Sequence, residues 1–207
     1  MTERKTVEEF IAEQRESIQG NSECGMSHYN LATGLLNLRQ MDEAEKEFKE
    51  AIRCSPSLAE AYVQLGGICL QRGDLDGCLE YNLAGVNARP RFAEGYGNVG
   101  FAYFQKGDID KAITALEKAV KFNELFIQAY ATLANAYLFK GMVDKSIEIN
   151  LKALKLDDNF SIAHNNLAIC YLEKEEFDLA VEHCDKAKEL GYDVAPEILK
   201  EIDQHRK

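Results

Sequence analysis

The chain repeats itself every 34 residues, and no other property limits its fold as tightly. Setting residues 93–126 beside the 34 that follow aligns Tyr96 with Tyr130, Gly100 with Ala134 and Tyr103 with Tyr137; it also aligns Gly107 with Gly141, Ala112 with Ser146 and Ala119 with Ala153. One step back stand Tyr62, Gly66, Cys69, Gly73, Cys78 and Gly85. An offset that keeps aromatic on aromatic and small on small across three copies marks an internal repeat, which overrides other readings of the fold. A repeat of this length leans on its neighbours rather than closing its own core, so the 207 residues are expected to build a single elongated body.

The register gives five repeats: residues 25–58, 59–92, 93–126, 127–160 and 161–194. Each splits into two amphipathic segments. The first, residues 129–140 in the fourth repeat, ends where Gly73, Gly107 or Gly141 suits a left-handed helix end; the outer repeats carry Arg39 and Glu175 there. The second, residues 110–121 in the third repeat, opens on an acidic residue that caps the helix or favours its dipole. Pro56 and Pro90 stop it in the first two repeats, and Glu124 and Asp158 hold that place later. Every repeat therefore reads helix, tight turn, helix. Small residues at the eighth place (Ala32, Gly66, Gly100), the twentieth (Ala44, Ala112) and the twenty-seventh (Ala51, Ala119, Ala153, Ala187) let neighbouring helices approach closely. Leu31, Leu65, Val99, Leu133 and Leu167 fill the space between them.

Both ends carry an extra helix. In residues 1–24, Thr6 with Glu9 forms a capping box, and Val7, Phe10, Ile11, Gln14 and Ile18 follow a helical period up to the break at Gly20-Asn21-Ser22. Phe10 lies one period before Ala44, so this helix stands in the place of a missing second helix and covers the end of the stack. In residues 195–207, Pro196 suits a first helical turn, with Ile198, Leu199 and Ile202 on one face and Lys200, Glu201 and Asp203 on the other. It reads as a solvating cap, with a docking helix as its alternative.

A net charge of −11 and a pI near 4.9 disfavour nucleic acid and anionic membrane surfaces as partners, and they permit a basic peptide or protein. No apolar run approaches the length of a membrane span, so direct membrane insertion is not expected. The first nine residues lack the apolar core of a secretory signal, and the six cysteines form no CxxC pair. A cytoplasmic location with reduced thiols is the expectation. No cofactor and no catalytic residue is expected, because no phosphate loop follows a strand and no nucleophile–base pair stands out. His28 and His164 occupy the place of Tyr62, Tyr96 and Tyr130, and read as packing residues with a polar tip. His183, Cys184 and Cys170 lack the spacing of a metal set, so no metal is expected. Cys69 and Cys78 read as buried structural thiols, with a reversible redox pair as the alternative.

A 34-residue helix–turn–helix repeat with this small and large pattern resembles the tetratricopeptide repeat. The resemblance covers residues 25–194. It rests on Tyr62, Leu65, Gly66, Cys69, Cys78 and Pro90 in the second repeat, and on Tyr130, Leu133, Ala134, Tyr137, Ser146 and Ala153 in the fourth. Asn82 and Asn150 depart from it, standing where the family prefers an aromatic, and the last repeat ends in Gly191-Tyr192 without a proline. The resemblance implies an all-α, right-handed superhelical solenoid of five repeats with a capping helix at each end. It also implies that the first helices line a concave groove that binds ligand.

At the sixth place, within that implied groove, stand Asn30, Gln64, Asn98, Thr132 and Asn166. A primary amide can satisfy both polar groups of a peptide unit, so this ladder could hold an extended backbone. It resembles the asparagine ladder of the family's glycosyltransferase branch, although asparagine is common at this place in such repeats generally. Tyr29, Phe101, Phe104, Asn135 and Phe139 complete the candidate surface. Gly67 and Gly97 lie inside helices, where glycine costs about 1 kcal/mol relative to alanine. They either clear room for a ligand backbone or mark tolerant sites. A clamp for the C-terminal carboxylates of heat-shock chaperones is not expected. The second and fifth places hold Met26, Glu60, Glu94, Tyr29, Val63 and Gly97, and the acidic pair favours a ligand with lysine or arginine instead. The expected function is a non-enzymatic adaptor that binds an extended or helical segment of another protein. The alternatives are a dedicated chaperone for an assembly or secretion client, and a homo-oligomeric scaffold joined through the end helices.

Overall fold

The repeat in the sequence becomes a repeat in helix starts. In the computed structural model, which describes residues 6–206, the first helices of the pairs are α2 (Gly25–Asn37), α4 (Ala59–Gln71), α6 (Ala93–Gln105), α8 (Ile127–Phe139) and α10 (Ser161–Glu173). The second helices are α3 (Met41–Cys54), α5 (Leu75–Ala88), α7 (Ile109–Phe122), α9 (Val143–Leu156) and α11 (Phe177–Glu189). Preceding them is α1 (Val7–Gly20), and following them is α12 (Pro196–Asp203). Among the described residues there is no strand, and the fold is all-α.

The chain divides inside α6, between Ala102 and Tyr103, into two compact units. In the first unit α1 packs on α2, α2 on α3, α3 on α4 and α4 on α5. The second runs in the same manner from α7 through α11, and α12 packs on α11. Each unit is thus a stack of antiparallel helix pairs, each pair burying its apolar faces against the next.

The small places are where the helices meet. Ala32, Ala44 and Ala51 in the first unit, and Ala112, Ala119, Ala134 and Ala153 in the second, have no exposed surface. Around the first three lie Leu31, Leu35, Phe48, Leu65 and Ile68, with Val7, Ile11 and Ile18 of α1 packed against them. At the other end Cys184, Ala187, Val194 and Ile202 are buried together, and Ile198 and Leu199 pack on them. Both extra helices therefore turn their apolar face to a repeat. The start of α1 has the capping box: Glu9 N–H donates to Thr6 Oγ1 (3.2 Å), and Thr6 N–H donates to Glu9 Oε2 (2.9 Å).

The tight turns share one backbone. Gly73, Gly107 and Gly141 adopt positive φ, as glycine does readily, and Arg39 (φ 61°) and Glu175 (φ 60°) take the same conformation despite their side chains. The bonds that close the helix end explain why. Arg39 N–H donates to Leu36 O and Gln40 N–H to Leu35 O, both at 2.9 Å. Those two bonds satisfy carbonyls that the helix leaves open, and they form only with a left-handed residue between them.

Candidate functional site

The candidate residues divide between the two units. In the first, Tyr29 and Asn30 lie on α2, Gln64 on α4, and Gly97, Asn98 and Phe101 on α6. Tyr29 is half-buried and its ring centroid lies 5.6 Å from that of Phe48, so it packs on the core. Gln64 and Phe101 are half-buried, and Gly97 is buried. At Gly67, by contrast, an added Cβ would meet no other atom within 4 Å. Asn98 and Phe101 stand three residues apart, hence on one side of α6.

In the second unit, Thr132, Asn135 and Phe139 follow one another at intervals of three and four along α8, and so share a face. Phe139 is 74% exposed, and the ring of Phe104 meets it edge-on, with centroids 6.4 Å apart at 80°. Asn135 is half-buried beside them on the helix. Asn166 on α10 is itself buried, at 4% exposure.

Three of the four amides expected to form an open ladder turn toward the helix before them. Asn98 Nδ2–H donates to Asn82 Oδ1 at 3.1 Å, and Asn166 Nδ2–H donates to Asn150 Oδ1 at 3.4 Å. Asn30 Nδ2 reaches Gln14 Oε1 at 3.5 Å, the limit of a hydrogen bond. The clue in the sequence was the pair of departures from the aromatic pattern. Asn82 and Asn150 stand sixteen residues before Asn98 and Asn166 and are the partners that the sequence reading had not assigned.

A second partner also escaped it. Arg89 holds both carboxylate oxygens of Glu60 at 2.7 Å, so one of the two acids expected to attract a basic ligand already has its counter-charge. The Arg89 guanidinium holds the Glu60 carboxyl below its usual range. Glu94 is exposed.

Away from these faces the polar groups are built into the packing. His28 Nδ1 is 2.6 Å from Glu47 Oε2 and its Nε2 is 3.1 Å from Ser22 O. His164 Nδ1 is 2.9 Å from His183 Nδ1, and Cys170 Sγ is held on Ser146 Oγ at 3.3 Å. His183 and Cys170 are thus committed to different partners, and among the described residues no three such side chains are grouped to hold a metal ion. Burial pushes the thiols of Cys69 and Cys78 upward, toward the neutral and unreactive form. No described helix is long and apolar enough to cross a membrane.

With this geometry in view, comparison with known proteins gives consistent matches. Models described as tetratricopeptide repeat match residues 29–91, 127–160 and 161–190, and one described as TPR repeat matches residues 100–141. No curated protein matches the sequence. Among solved structures, YrrB, described as a TPR protein with an unusual peptide-binding site, is similar at 19% identity and a TM-score of 0.74. That match covers 93% of this chain and 97% of YrrB. MamA is similar at 26% identity over 77% of this chain and 94% of its own, with a TM-score of 0.70. PilF of Pseudomonas aeruginosa is similar at 17% identity and a TM-score of 0.76, over 90% of this chain and 87% of its own.

Proposed function

Because the chain belongs to the tetratricopeptide repeat family, we propose that it is a non-enzymatic adaptor whose first-helix faces take up an extended or helical segment of a partner protein. The observation that carries this reading is Phe139. A phenylalanine that is 74% exposed, met edge-on by Phe104, lies outside the core it could have joined. Beside a half-buried amide it has the character of an anchor for an apolar side chain. YrrB, of the same fold, is a peptide-binding protein by its own description.

Charge supports a basic partner segment. The chain carries −11, and Glu94 is exposed on the first turn of α6, although Glu60 is neutralised by Arg89. The free cysteines fit a reducing compartment such as the cytoplasm.

Selection of binders from a displayed random-peptide library on the immobilised protein tests the reading. A peptide held on the face of the first unit should be weakened by about tenfold or more in the Asn98→Ala/Phe101→Ala double variant, and one held on the face of the second unit by as much in Phe139→Ala, with the far-ultraviolet helical signal retained in each. Undiminished binding in both variants would place the ligand elsewhere. Light scattering over a concentration series separates peptide binding from self-association through the end helices.

A further inference from the structure

The two asparagines that break the aromatic pattern have a specific task. The Nδ2 of Asn82 lies 2.8 Å from the carbonyl oxygen of Cys78, and that of Asn150 lies 3.0 Å from the carbonyl oxygen of Ser146. A carbonyl oxygen only accepts, so the amide nitrogen of each buried asparagine must face it. The Oδ1 then faces the next repeat and accepts from Asn98 or Asn166. In both outer asparagines the nitrogen is thereby turned inward. The two polar atoms of a primary amide lie on opposite sides of its carbon, so the carbonyl oxygen turns away from the buried partner.

The arrangement recurs at every second repeat. Where the buried place holds Phe48 or Leu116, the sixth place that follows is Gln64 or Thr132, not asparagine. Room for the first lock comes from Gly66: a Cβ there would stand 2.2 Å from Asn82 Nδ2. Asn82 itself has no exposed surface, while Asn98 is half-buried on the candidate face.

We propose that Asn82 is a positioning residue for ligand recognition. By holding the Asn98 amide with its oxygen outward, it makes this place on the face an acceptor, which selects a backbone N–H of an extended segment over a carbonyl. The lock at Asn150 sets Asn166 in the same way but beneath the surface. This inference rests on the peptide-binding reading above, and the test keeps the two apart.

The probe is a peptide selected on the native protein from a display library, together with the same peptide carrying an ester in place of one amide at each position in turn. In the native protein one ester position should lower affinity about tenfold, the loss of one hydrogen bond to a half-buried acceptor. Asn82→Leu and Gly66→Ala should lower affinity for the all-amide peptide and abolish the penalty at that ester position. Side-chain amide exchange by NMR reads the lock without any ligand: one Asn98 Nδ2 hydrogen should be protected in the native protein and lose that protection in Asn82→Leu and in Gly66→Ala, whose Cβ would crowd the Asn82 amide at 2.2 Å and the Cys78 carbonyl oxygen at 3.2 Å. Unchanged protection of Asn98, or an ester penalty that persists in both variants, overturns the proposal. A library that yields no binder overturns the peptide reading and with it the ligand role of Asn98, while amide exchange still decides whether Asn82 orients it.

Discussion

His183 donates the hydrogen of its Nδ1 to the Nδ1 of His164 across 2.9 Å. The direction follows from the other side of the ring, where His164 Nε2 faces the carbonyl oxygen of Asp158 at 3.0 Å and must carry its hydrogen there. Four repeats earlier the same two places hold His28 and Glu47, with Nδ1 and Oε2 2.6 Å apart. One place in the repeat therefore takes two kinds of pair, one with a carboxylate and one with a second imidazole.

The imidazole pair should make the last helix pair sensitive to acid. Burial, and then the charge that His164 would carry, hold His183 below the ordinary imidazole value of 6.5, against the opposing pull of Glu182. A group whose folded value is lowered contributes stability that is full above its unfolded value and is lost as the pH falls through the folded one. Urea midpoints at pH 7.5 and 5.5 should show the native protein weaker at the lower pH. His183→Gln, which keeps a donor to His164 without a titrating ring, should narrow that difference. Equal pH sensitivity in both proteins would remove His183 as the cause.

Glu175 sits in the left-handed region at φ 60°, where Gly73, Gly107 and Gly141 hold the corresponding places. Its helix-end bonds, Glu175 N–H to Leu172 O (3.0 Å) and Glu176 N–H to Tyr171 O (2.9 Å), need no side chain. Glu175→Gly should relieve about 1 kcal/mol of backbone strain and raise the thermal midpoint by roughly 2–4 °C. A lower midpoint would show that the glutamate side chain contributes more than its backbone costs.

Ala112 has no exposed surface in the packing around α7. Ala112→Leu should overpack the core by roughly 1–3 kcal/mol, seen as a lower urea midpoint. An unchanged midpoint would mean that the helices can separate there at little cost.

Phe139 should behave in the opposite way. Its ring meets that of Phe104 edge-on, a contact worth about 0.5–1.5 kcal/mol. Phe139→Ser should therefore cost no more than that in urea denaturation while weakening a peptide held on the face of the second unit. A large loss of stability would return Phe139 to the core.

Much of the fold was legible in advance because a helix reports itself locally. The helix pair in each repeat, the αL turns, and the capping box of Thr6 and Glu9 all follow from side-chain period and backbone preference within a few residues, although α8 begins at Ile127, two residues before the expected segment 129–140. The buried alanines were legible for the same reason, since a strict small place in a repeat marks close approach of helices. The candidate faces were less so. Asn98 is half-buried on α6 and Asn166 is buried on α10, and nothing local tells an outward amide from one bonded to the preceding helix.

The sequence by itself determined the period, the helix pairs and which side of each helix is apolar, because those depend on neighbours one or two turns away. Tertiary structure decided which polar groups are already taken. Asn82 orients Asn98, Arg89 neutralises Glu60, and His164 meets His183, across sequence separations of sixteen to twenty-nine residues. A hydrogen bond requires its atoms within about 3.5 Å and well aligned, and only the packed distance between helices sets that.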